Sequence, residues 1–321
     1  MMNKFLETVS SKLAETWVAQ VLSPAFAFWA GGLALWVWGH EGTGALGAIR
    51  RWRAAGDDAS LIVLAVVFLL VVVVSGTLVQ RAALPMLRLL EGYWPKWLTG
   101  PRRWLERRQR KRKQRLKDEW QAAAGPVNEG TATAEQQDRY VALDELLRRF
   151  PDRDTVMPTA LGNTLRAGEL RPRDRHGLDP TVCWVHLWLI LPDSARAELT
   201  AARSALDGAA VAVTWSALFA VWTVWAWWVP LVAAAAIAIV HAAALLPAAR
   251  TWADLVEATV DLYGPKLADT LRLQPPGTLK ARWEQGDFIT SFLQGREVDL
   301  DTALVLPKDG DEASDGGPPA A

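Results

Sequence analysis

The sequence predicts an all-α, polytopic membrane protein: four transmembrane helices in two hairpins, joined to a helical cytoplasmic domain. Three observations predict it. Residues 61–79, LIVLAVVFLLVVVVSGTLV, carry no charge, and residues 208–249 contain no Asp, Glu, Lys or Arg. The chain has 18 tryptophans against 3 tyrosines, and Trp gathers where a membrane meets water. Across 321 residues, 35 Lys+Arg balance 35 Asp+Glu, but the charges crowd outside the apolar runs. That pattern excludes an ordinary soluble enzyme and a disordered chain. A single cysteine, Cys183, excludes an intramolecular disulfide framework and a cysteine-rich metal site.

The first region, 1–80, reads as an interfacial helix and a first transmembrane hairpin. Residues 4–17 put Phe5, Leu6, Val9, Leu13 and Trp17 on one helical face, which suits an interfacial helix or a plain extension of the span behind it. The span at 18–39 holds Gln20, Ser23 and Pro24 but no charge, and Trp36 and Trp38 anchor its far end. A cleaved signal peptide is its rival, opposed by the lack of an A-x-A site. Residues 61–79 are too long for a strand and, at about 1.5 Å per residue, cross a hydrocarbon core of about 30 Å.

Region 81–120 is a basic cytoplasmic helix. It holds 13 Lys/Arg against 4 Asp/Glu, which places it inside by the positive-inside rule. Arg50, Arg51 and Arg53 in the preceding loop oppose that orientation more weakly. Its densest part contains Arg107, Arg108, Arg110, Lys111, Arg112 and Lys113. Four roles suit this run: a topology determinant, a grip on anionic lipid headgroups, a pore vestibule, or a nucleic-acid contact. The last is not expected, because no reader motif accompanies it.

Residues 121–135 read as a flexible linker rich in turn formers. The helical module expected at 136–207 follows. Tyr140, Leu143, Leu147 and Phe150 form a stripe that Pro151 stops, and Thr159 could cap the next helix. The apolar run 182–191 is too short to span, so it reads as a buried or interfacial helix. Residues 195–206 look helical and lead toward the third span.

Region 208–249 is the second hairpin, with a tight turn expected at Pro230 and the cluster Trp225, Trp227, Trp228 beside it. With four spans, both termini are cytoplasmic. His241 is the one ionisable side chain in a span, and such residues are costly and often functional. It could face a pore with Thr214, Ser216 and Thr223, or bond to Thr214 or Ser216 across the hairpin. Region 250–306 forms C-terminal cytoplasmic helices. There Asp254, Glu257, Asp261 and Asp269 fall at i, i+3, i+7 and i+15 on roughly one face. It reads by default as a solvated polar face, with contact to the basic segment, within or between subunits, or a cation site as the functional alternatives. The tail at 307–321 reads as disordered.

No catalytic constellation appears: no P-loop, no GxGxxG, no HExxH, no nucleophile elbow. His40, His176, His186 and His241 lack metal spacing, and Cys183 with His186 reads as a structural pair. No enzyme, cofactor or metal is therefore expected.

Residues 136–293 resemble a family of uncharacterised bacterial membrane proteins of the actinomycete type. The likeness rests on a Pro-Thr-x-Leu-Gly-Asn motif (Pro158, Thr159, Leu161, Gly162, Asn163). A Tyr-Gly-Leu/Ile-Asp element is matched by His176, Gly177, Leu178 and Asp179, and a Trp leading to Leu-Pro by Trp184, Leu191 and Pro192. An Asp-Leu-Tyr-Arg element is matched by Asp261, Leu262 and Tyr263, with Gly264 in place of the basic residue. The resemblance implies a multi-span membrane protein and leaves its activity open.

The expectation is thus a non-enzymatic, oligomeric protein of the bacterial inner membrane. It would be channel-like or membrane-perturbing, regulated by its cytoplasmic domain. The alternative is a tether or scaffold that recruits a soluble cytoplasmic partner. The partners expected are anionic lipid headgroups, further copies of the chain and a cytoplasmic protein.

Overall fold

The computed structural model describes residues 23–39, 47, 58–152 and 155–296. The expected helix at 4–17, the loop bearing Arg50, Arg51 and Arg53, and the tail at 307–321 lie outside the described residues. Among the described residues, every regular element is helical. In order they are α1 (Ser23–Gly39), α2 (Asp58–Arg81), α3 (Ala83–Glu91), α4 (Thr99–Asn128), α5 (Ala134–Leu147) and α6 (Ala160–His176). Then come α7 (Pro180–Ile190), α8 (Asp193–Phe219), α9 (Val229–Val240), α10 (Leu246–Thr270) and α11 (Leu279–Leu293). A 3-10 turn, Ala220–Val224, follows α8, and a π turn, His241–Leu245, joins α9 to α10.

Three helical stretches are long and apolar enough to cross a membrane: Ile62–Arg81, Asp193–Val224 and Val229–Thr270. The last is apolar through residue 249 and charged from Arg250 onward. The described part of α1 has 17 residues and is not among the three.

The chain divides into two compact units, each described here by itself. The first draws on residues 1–106, 158–162 and 201–249. Its core is aromatic and small-residue packing. Ala25 of α1 and Val72 of α2 are fully buried, with Phe28, Trp29 and Phe68 around them and Val211 and Trp215 of α8 against them. The Trp29 indole N–H donates to Ser75 Oγ at 3.0 Å, so the indole's one donor is satisfied inside the packing. A Cβ at Gly32 would fall on the Trp222 ring, which lies 5.0 Å from Phe28 and stacks on Trp225 at 4.7 Å. The outer face is apolar too. Leu64, Leu70 and Leu78 of α2 and Leu231 and Ile239 of α9 are all more than half exposed. An apolar face this large is costly in water and neutral in lipid.

The second unit draws on residues 107–157, 163–200 and 250–321. A true hydrophobic core holds it: Leu178, Cys183, Leu187, Val260, Leu267 and Ile289 come from α7, α10, α11 and the α6–α7 turn. Caps set its helix ends. Thr133 and Gln136 exchange reciprocal side-chain and backbone bonds at the start of α5, a capping box. Asp179 accepts from Thr181 N–H before Pro180 opens α7, and Thr278 accepts from Ala281 N–H to start α11. Gly177 has φ of 70°, and a Cβ on Gly286 would collide with the His176 carbonyl. Two chain segments therefore cross there at backbone distance. The Thr290 hydroxyl ties the crossing together, accepting from Asp179 N–H at 3.0 Å with the Gly177 carbonyl 3.0 Å away.

Several boundaries differ from the sequence reading. The linker expected at 121–135 is mostly helix, since α4 runs to Asn128. Its alanines favour helix, Pro126 sits in the last turn, and Trp120 stacks on Tyr140 at 5.5 Å. The module expected at 136–207 is built instead with residues 107–135 and the C-terminal helices, while 158–162 and 201–207 pack with the apolar unit. The turn expected at Pro230 falls earlier, at Trp225–Trp228. Pro230 lies in the first turn of α9, where its missing N–H costs nothing.

Candidate functional site

The two ends of α6 explain where the functional side chains of the charged unit sit. At the N-terminus, Thr159 Oγ1 accepts from Gly162 N–H at 2.9 Å and donates to the Glu91 carbonyl at 2.9 Å. Within the charged unit, Asn163, 1% exposed, closes on both the N–H and the carbonyl of Met157 at 2.7 and 3.1 Å. The Pro-Thr-x-Leu-Gly-Asn residues are thus helix-starting architecture. Further along α6, Gly168 lets the backbone approach Ala253 of α10. That contact brings two charged rows with the same spacing together: Arg171 and Arg175 on α6, Glu257 and Asp261 on α10.

Glu257 is the centre of this network. Its carboxylate, 5% exposed, takes Arg171 Nη1 at 2.9 Å, Arg175 Nη2 at 3.1 Å and Arg148 Nη2 at 3.7 Å. Asp261 takes Arg175 at 3.1 Å and His176 Nε2 at 2.6 Å. Arg149 and Arg250 complete the basic side, and Thr164, also buried, lines the same cleft. Glu145 and Asp254 stand exposed at its edge. The cleft encloses about 580 Å³. Burial lowers the pKa of Arg149 first, then the neighbouring guanidinium of Arg250; Glu145 offsets this and Arg112 adds to it.

The acidic residues Asp254, Glu257 and Asp261 do share a face, as the spacing predicts. Their partners differ from those expected. Among the described residues the ion pairs of Glu257 and Asp261 run to Arg148, Arg171 and Arg175, and Asp261 also hydrogen-bonds His176; none runs to the segment 107–113. From that run, Lys113 donates to the Pro151 and Asp152 carbonyls at 2.6 and 3.1 Å, holding the segment after α5. Arg107, Arg108, Arg110, Lys111 and Arg112 are exposed along α4.

In the apolar unit, Thr214 is buried and donates to the Ala210 carbonyl at 2.8 Å. Ser216 donates to Ala212 at 2.8 Å, and exposed Thr223 donates to Ala220. Each hydroxyl is thus spent on its own helix, and no bond to His241 forms among the described residues. His241 is half-buried and opens the π turn.

Cys183 and His186 do not pair. Cys183 is fully buried while His186, one turn on, is exposed, and no hydrogen bond joins them among the described residues. Burial pushes the Cys183 thiol up to about 11, against a bond with Thr290 that favours the thiolate. Desolvation likewise raises Glu169, with Arg166 pulling the other way.

The arginine cleft was missed in the sequence. Its one legible signal is the matched i, i+4 spacing of opposite charges at 171/175 and 257/261. Arg148, Arg149 and Arg250 each stand four residues from a carboxylate of their own segment (Asp144, Glu145 and Asp254), which reads as an ordinary surface pair. No family model, curated protein or solved structure matches this chain.

Proposed function

We propose that the chain is a non-enzymatic, multi-pass bacterial inner-membrane protein that works as a tether, with its charged helical unit as a cytoplasmic recognition module. The supporting observation is the contrast between polar groups in the two units. In the apolar helices the hydroxyls donate to carbonyls of their own helix, so their protons are committed locally and not offered to a permeating anion. The charged unit has its own core and a cleft rich in side-chain donors. In this reading α1 and α2 form one hairpin, and α8 and α9 another. Both termini are cytoplasmic, and the exposed cations of α4 rest against anionic headgroups.

A channel-like homo-oligomer is the second reading. The π turn at His241–Leu245 favours it, because π turns inside helices concentrate at functional positions. Mass measurement in nanodiscs, paired with ion flux across proteoliposomes, separates the two. A tether gives a monomer or dimer and flux no higher than empty liposomes. A ring-sized oligomer whose flux disappears in His241→Ala overturns the tether.

A further inference from the structure

We propose that the arginine-lined cleft of the charged unit is a binding site for a phosphate group, free or carried on a lipid headgroup. This goes beyond the tether reading and holds whether the apolar helices anchor or conduct.

The cleft is rich in donors and short of acceptors. Arg148, Arg149, Arg171, Arg175 and Arg250 line it, against four carboxylates. Each guanidinium offers five N–H donors. Glu257 already serves three of the arginines and Asp261 serves Arg175 with His176. Glu145 and Asp254 are exposed and have no ion pair within 4 Å among the described residues, and neither do Arg149 and Arg250. Two donor atoms are left over in the interior. Arg171 Nη2 and Arg250 Nε are shielded from solvent without a hydrogen-bond partner, and the Arg171 side chain as a whole is 10% exposed. A buried donor without an acceptor costs free energy comparable to a lost hydrogen bond, so the cleft favours whatever supplies the missing oxygens.

Geometry narrows the class. The guanidiniums come from three places in the chain: the end of α5, the second half of α6 and the start of the charged part of α10. A planar carboxylate meets one fork well. A tetrahedral phosphate presents oxygens in several directions and can meet forks from more than one side. The volume of about 580 Å³ exceeds a bare ion and lies in the range of small-molecule sites, roughly 300–1,000 Å³, so a phosphate ester fits better than inorganic phosphate alone. The exposed carboxylates Glu145 and Asp254 oppose an anion at the edge, which orients the charged end inward.

The test uses the full chain in phosphatidylcholine nanodiscs. Inorganic phosphate and dihexanoyl phosphatidate are titrated separately, and arginine modification by phenylglyoxal is read residue by residue by mass spectrometry. The expected result is several-fold slower modification of Arg149 and Arg250, with Arg173 unchanged outside the cleft. Protection by inorganic phosphate points to a free phosphate source. Protection by the phosphatidate alone points to a lipid headgroup. Arg250→Gln should weaken calorimetric binding of the effective probe by roughly tenfold or more, and Asp254→Asn should tighten it. Protection by neither probe, or equal protection of Arg173, overturns the proposal. Because the footprint is read on the unaltered chain, it decides the matter even where Arg250→Gln fails to fold.

Discussion

The two units differ in how far their polar side chains reach, although each also holds bonds of the other kind, such as Thr259 to the Leu255 carbonyl in the charged unit. In the apolar unit, Thr77, Thr214 and Ser216 each bond a carbonyl three or four residues back on the same helix. In the charged unit, Arg171 reaches Glu257 across 86 positions and Thr290 reaches Gly177 across 113. Local satisfaction makes a helix self-sufficient, which is the condition for standing in lipid. Distant satisfaction makes the helices depend on one another and fixes one arrangement. Trp29 with Ser75, which joins α1 to α2, and Thr159 with the Glu91 carbonyl are exceptions in the apolar unit.

This contrast can be broken most severely at Glu257. Glu257→Gln leaves Arg171 buried opposite a neutral amide, and breaking a buried pair by removing one partner costs about 3–5 kcal/mol. Thermal unfolding of the protein in nanodiscs should show the charged unit melting well below the parent. An unchanged transition would mean that the network contributes little. Gly286→Ala comes next. Its methyl would strike the His176 carbonyl, and overpacking of this kind costs about 1–3 kcal/mol, measurable in the same melt.

The apolar unit should respond far less. Thr214→Val removes a hydroxyl bonded only within α8, and polar contacts in such settings are worth about 0.6 kcal/mol on average. Thermal stability in detergent should shift by a degree or two. A large loss would show that Thr214 holds a partner helix.

The smallest effect concerns Cys183. Its folded pKa lies near 11, so the thiol keeps its proton at pH 8 and iodoacetamide should label it only on unfolding. The raised value also sets a sign. The unfolded thiol ionises first as pH rises, so this contribution is whole below the ordinary thiol range and is lost as pH climbs toward about 11. Labelling of the native protein at pH 8 at the rate of a free thiol would contradict the burial of α7.

Much of the fold was legible because helices apolar enough to cross a membrane are written in long uncharged runs. Residues 61–79 fall within α2, and the small, apolar residues after Pro230 form α9. Thr159 as a cap was also legible, since a hydroxyl before a helical run has a local cause. The linker was not, because Gly125 and Pro126 read as breakers while the stacking of Trp120 on Tyr140 is a tertiary fact. The cleft was half legible. The acidic face of α10 has a period, and Arg250 lies on the same helix, but only tertiary packing brings Arg148 and Arg149 from the end of α5, and Arg171 and Arg175 from α6, to that face.

The backbone crossing at Gly177 and Gly286 carries an evolutionary consequence. Side chains around it, such as Ile289 and Leu178, can exchange volume with their neighbours and drift together over generations. The two glycines have nothing to exchange, because each is opposed by main chain. Lineages that keep this fold should therefore vary freely in the surrounding core while remaining frozen at these two positions. Substitution there would open a route to a different packing rather than a milder version of this one.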